Sequence, residues 1–178
     1  MINLFFYGRW PQKKRFEQYT NDVLNHFFKN KLVREVDVHL KMASKQTDLG
    51  YCHGDRNEVY IDLCRSHPNY LGDYTVDDVA KTLAHELVHA KQYLRGEIKP
   101  NDNVWHRTGT CYDEASYRQL PWEHEAYMME DFLHNLYWKN FLIKFFYQFP
   151  FPIYYQWWSG IAFWHFEAVS LNLRFLFQ

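Results

Sequence analysis

The chain has no excess of charge of either sign: 20 lysines and arginines stand against 21 aspartates and glutamates, for a net charge of −1. A nucleic-acid partner drawn by bulk electrostatics is therefore not expected, and neither is an acidic solvating tail. Cysteine is scarce. Cys52, Cys64 and Cys111 are three in number and irregularly spaced, which excludes a disulfide framework and points to a reducing compartment. A cytoplasmic protein is expected. Seven glycines and six prolines leave no Gly/Ser linker, and no internal repeat is present. The opening MINLFFYGRW has no basic residues ahead of its apolar run and no small-residue cleavage site, so it does not read as a signal peptide.

What the chain has in plenty is aromatic rings, 20% of its 178 residues. That length suits one domain with its own core plus an extension. The rings crowd the end: from Phe145 to Phe166 there is no Asp, Glu, Lys or Arg. The run is long enough to span a bilayer, but Pro150, Pro152 and Gly160 break it. Residues 141–178 are thus read as an aromatic extension on a domain of residues 1–140. Three roles are open to it, in this order: an added layer on the domain, a docking surface for a partner or second copy, and a membrane-surface segment.

Within 1–140 the periodicity predicts a helix from Phe16 to Leu32, preceded by a solvated basic patch at Lys13, Lys14 and Arg15. A half-buried strand follows over Val36–Met42. Two strand segments then flank a Gly54-Asp55-Arg56-Asn57 turn, and a loop covers His67–Asp73. The clearest helix starts after Thr75, a good N-cap with Asp78 three residues on. It carries Val79, Leu83, Leu87 and Leu94 at helical spacing and stops at Gly96. Another helix begins at Pro121. The expected fold is α+β, with helices on a small antiparallel sheet.

The central helix contains His85-Glu86-Leu87-Val88-His89. Two histidines at i and i+4 share one helix face and can reach a single metal ion. Glu86, beside them, is placed to take a proton from a metal-polarised water as general base. The bare pattern arises by chance in roughly 3% of chains of this composition, so its setting in a capped amphipathic helix matters. A catalytic zinc needs a third protein ligand. Gln92 and Arg95 stand where an extended HExxHxxGxxH motif has its glycine and last histidine, so that ligand comes from elsewhere. Glu123 is chosen because Ala126 lets its helix approach closely; Glu125 is the alternative, and it could instead bond a ligand histidine from behind. Two His and one Glu suit one zinc ion per chain. For the oxyanion, His106, Tyr112, Tyr117 and Tyr127 have suitable chemistry, with Tyr112 and Tyr127 put first. A second zinc site from Cys52, His53, Cys64, His67 and Cys111 does not have finger or ribbon spacing.

HELVHAKQYLRGE, then Trp105-x-x-x-Gly109, then Tyr117-x-x-Leu-Pro-Trp-Glu-x-Glu-Ala-Tyr127 together resemble the small HExxH metallopeptidase-type proteins found in bacteriophages. These are similar in layout to SprT-type and ImmA-type zinc peptidase domains, on the gluzincin side of the zincins. The resemblance covers roughly residues 50–138. It implies a zincin-like domain, zinc on His85, His89 and Glu123, Glu86 as base, and a peptide or protein substrate. It further implies that a sheet edge holds the substrate backbone as an added strand, for which Asn57–Cys64 is the expected candidate. The alternative function is a structural or assembly protein, such as a phage particle component, that keeps this fold and uses residues 141–178 as an interface, with a virion-associated location.

Overall fold

The structure, a computed structural model, describes residues 1–29, 34–43, 48–65, 74–100 and 102–140. All of these fall in one compact unit, Met1–Asn140. The expected loop at His67–Asp73, the last residues of the expected first helix and the aromatic stretch 141–178 lie outside the described residues.

Strand β1 (Ile2–Gly8) leads to helix α1 (Lys13–Phe28), then β2 (Val36–Ala43), β3 (Gly50–Gly54) and β4 (Glu58–Cys64). Helix α2 (Val76–Arg95) follows, then a small hairpin of β5 (Val104–Trp105) and β6 (Thr110–Cys111). A 3-10 turn (Tyr117–Gln119), α3 (Pro121–Leu133) and a π-helical turn (His134–Lys139) complete the unit. The main sheet runs β1-β2-β4-β3. It is mixed and not antiparallel as expected: β1 pairs parallel with β2, β2 parallel with β4, and only β3 runs antiparallel to β4. β1 and β2 run parallel because α1 carries the chain back between them, a crossover that a hairpin cannot supply, and β2 and β4 run parallel because β3 takes the chain back at the outer edge and β4 returns between β2 and β3. The basic patch at Lys13–Arg15 forms the first turn of α1.

One face of the sheet is the core. Val36, Val38 and Leu40 of β2 and Val59, Ile61 and Leu63 of β4 are buried there with Phe16 and Val23 of α1 and Leu83 and Leu87 of α2. The alternate residues stand on the opposite face and stack their rings from strand to strand: Phe5 on His39 (4.7 Å between centroids), His39 on Tyr60 (4.7 Å) and Tyr60 on His53 (5.3 Å), with planes within 13°. Such cross-strand ring pairs help to lock the register. β4, the segment expected to be the free edge, is paired on both sides; the edge next to the site is β3.

Helix α2 is bounded as its sequence demands. Thr75 Oγ1 accepts from the Asp78 amide and the Asp78 carboxylate accepts from the Thr75 amide, a capping box. Gly96 closes the other end at φ 69°, where a side chain would be strained. α3 lies antiparallel along α2. Asp77 in the first turn of α2 accepts from His134 Nε2 (3.2 Å) and Trp138 Nε1 (3.0 Å), while at the far end Gln92 Nε2 donates to the Trp122 carbonyl (3.0 Å). These ties set which residues of the two helices face each other. Thr75→Ala should cost about 1 kcal/mol of stability, read as a lower denaturant midpoint with unchanged slope.

Candidate metal centre

His85 and His89, one turn apart on α2, turn their Nε2 atoms toward each other at 3.2 Å. Glu123, in the first turn of α3, closes the third side: Oε2 lies 3.4 Å from His85 Nε2, and Oε1 lies 3.4 Å from His89 Nε2. One ligand atom from each of the three lies within 4.8 Å of the other two, and all three residues are buried. Glu123 Oε2 is shielded from solvent and makes no hydrogen bond.

The outer nitrogens decide what the inner ones carry. The Gln92 side-chain amide donates to the Trp122 carbonyl and to Glu125 Oε2 (2.8 Å), so its oxygen faces His89 Nδ1 at 2.8 Å. Nδ1 must then be the donor, which leaves His89 Nε2 a lone pair. His85 Nδ1 meets Glu130 Oε2 at 3.1 Å, which asks for the same tautomer. Two imidazole lone pairs and a carboxylate thus converge in a largely buried place. Such a donor set fits a cation, and N,N,O ligation suits zinc. Holding the outer N–H on an acceptor is how metal-binding histidines are oriented.

Glu125, the alternative ligand, is turned elsewhere. Both of its oxygens accept from Lys91 Nζ at 2.8 Å, and it reaches His89 only through Gln92. Glu130 was not foreseen, although it stands seven residues, two helical turns, after Glu123 on the same face of α3. Gly50 on β3 was missed as well: a Cβ there would lie 2.5 Å from Glu86 Oε1 and 2.7 Å from Thr82 Cγ2, so only glycine leaves Glu86 its place. Cys52 and Cys64 are buried and Cys111 is exposed. Among the described residues, His85, His89 and Glu123 form the one cluster suited to a metal ion.

A cavity of about 190 Å³ opens against the cluster. Glu86, His89 and Glu123 form one wall, and Gly50, Cys52 and Tyr117 also line it. Tyr112, by contrast, packs its ring on Trp122, and Tyr127 sets its ring edge-on against His85 at 4.7 Å. His106 bonds Asp102 at 2.8 Å. Burial raises the pKa of Glu86 above its ordinary value, against the pull of His89 and His85. Burial, and then the carboxylate of Glu123, keeps the Tyr117 phenol protonated.

Residues 15–124 match the model of the SprT-like family, more than half of the chain. The chain belongs to the SprT-like family. No curated protein sequence matches it. The SprT-like segment runs one residue past Glu123, so it holds the whole cluster and Glu86, while Glu125 and Glu130 fall beyond it. A family of zincin-like metallopeptidase type and a buried His-His-Glu group that can bind a metal ion therefore agree. Among the described residues, no helix is long and apolar enough to cross a membrane.

Without a cation, a proton relieves the crowding of lone pairs. Burial lowers the pKa of His85, but the carboxylates of Glu123 and Glu130 outweigh it and raise it to about 9. Burial raises Glu123, but His85 and His89 bring it down to about 2. The His85 contribution to stability is full below the ordinary value of 6.5 and is lost as pH rises through about 9. The Glu123 contribution is present above 4.5 and is lost as pH falls through about 2. Metal-stripped protein should therefore lose thermal stability between pH 6.5 and about 9, and His85→Asn should flatten that slope. Glu130→Gln should weaken zinc binding roughly 10- to 100-fold, as measured by competition with a chromogenic chelator.

Proposed function

We propose that this SprT-like protein is a zinc-dependent peptidase, with zinc held by His85, His89 and Glu123. The observation that carries the reading is the convergence of three buried donors beside a fourth buried group, Glu86, that faces the same cavity. Zinc bound there supplies Lewis acidity, polarising a carbonyl and making a water acidic near neutral pH.

The chain's own residues supply the rest. Glu86 accepts a proton from the water whose oxygen attacks the scissile carbonyl carbon, and then delivers it to the amine as the C–N bond breaks. Its raised pKa keeps it basic enough for that exchange. Tyr117, which lines the cavity and keeps its proton, is the donor assigned in this reading to the carbonyl oxygen as it gains charge.

The substrate backbone adds to β3. The amide of Asp55 donates to the Glu58 carbonyl, and that of Cys64 to the Leu49 carbonyl. In an antiparallel pair, alternate residues take such bonds, so Tyr51 and His53 bond to β4, while Gly50 and Cys52 direct their N–H and C=O groups to the open edge. Both of these residues line the cavity, so an added strand passes the cluster. Glu86 acts on the proton and not on the metal. Glu86→Gln should accordingly retain one zinc per chain and lower hydrolysis of an unfolded protein substrate at least about 100-fold. Turnover that survives in this variant would remove Glu86 from the mechanism.

A further inference from the structure

We infer that the cavity beside the metal cluster is a specificity pocket for one large uncharged side chain of the substrate, preferentially aromatic, next to the scissile bond. The inference rests on the peptidase reading above and names the substrate class for that site.

At about 190 Å³ the cavity is smaller than the sites that enclose whole small molecules. It has room for a single side chain. Beyond the reacting groups, its walls are Tyr93 from α2, Ile98 from the loop after α2, and Trp122 from α3, with residues 50–52 of β3 along the open side. Three segments of chain thus contribute one apolar or aromatic wall each, and no lysine or arginine lines the space. A ring entering it gains apolar burial and edge-to-face contacts. A carboxylate entering it would meet Glu86 and Glu123 with no counter-charge except the metal, and would give up its water.

The Trp122 wall is braced. Trp105 of β5 lies nearly parallel to its ring (centroids 6.1 Å apart, 24° between planes), and Tyr112, just past β6, meets it edge-on at 5.9 Å. The small hairpin β5–β6 contributes no donor to the metal cluster. Fixing this wall gives it a purpose, since a pocket held in shape before binding discriminates more sharply. On the β3 side the space is bounded by Gly50 and Cys52, while the Tyr51 ring stacks on His53 (5.3 Å) on the open face of the sheet.

The test uses the zinc-loaded full chain and N-acetyl amino-acid hydroxamates of phenylalanine, leucine, alanine, lysine and glutamate, titrated calorimetrically. The hydroxamate group chelates the metal in every case, and only the side chain differs. Phenylalanine and leucine hydroxamates should bind roughly 10- to 100-fold more tightly than alanine, with glutamate weakest. Ile98→Ala, in the loop after α2, should lower the phenylalanine-to-alanine ratio roughly threefold or more, with zinc content measured alongside. Equal binding of all five, or a preference for lysine or glutamate, would overturn the pocket and leave the metal site standing. Binding of none, in protein shown to hold zinc, would overturn the peptidase reading and the pocket with it.

Discussion

Two imidazole lone pairs and a carboxylate, largely buried and packed within 4.8 Å of one another, repel unless something positive lies between them. Most of the described structure bears on that one constraint. The i, i+4 spacing of His85 and His89 needs a helix that neither frays nor kinks, and the Thr75–Asp78 box and Gly96 bound it at either end. The outer nitrogens need acceptors, and Gln92 and Glu130 supply them. Glu123 has to arrive from another helix at one height along α2, which the Asp77 bonds to His134 and Trp138 set from the opposite end.

Around this centre the charges alternate outward. Behind His89 come Gln92, then Glu125, then the buried Lys91, which also bonds Glu97 at 2.9 Å. Behind His85 come Glu130 and Lys81. A lysine as buried as Lys91 is tolerable only when such partners meet it. The network holds Gln92 still, and Gln92 in turn holds the His89 ring. Rigidity of this kind is what a catalytic metal site requires of its surroundings, because the geometry must not relax when the ion or substrate arrives. On the other side, where chemistry is proposed, the space is open and its one crowded spot is relieved by a glycine at position 50.

Local features were legible before the fold was known. The cap at Thr75, the stop at Gly96, the start at Pro121 and the pairing of His85 with His89 depend on neighbours within one or two turns, and short-range rules decide them. β1 escaped notice because Phe5 and Tyr7 point to the open face and join the ring column there, so the apolar-polar alternation of a half-buried strand is erased. The parallel pairing of β1 with β2 and of β2 with β4, and the position of β3 at the edge, follow from contacts across tens of residues that no window reveals. The roles of Glu123, Glu125 and Glu130 turn on which side of α3 meets α2. That is settled by Asp77 with His134 and Trp138, about sixty residues apart in the chain.

The most direct test is crystallographic: zinc-soaked crystals of the full chain, with anomalous differences collected on either side of the zinc absorption edge. The account predicts one strong peak per chain between the Nε2 atoms of His85 and His89 and the Glu123 carboxylate, with Glu86 near it but not bonded to it. A peak held by other residues, or no peak at this cluster in crystals that contain zinc, would contradict it.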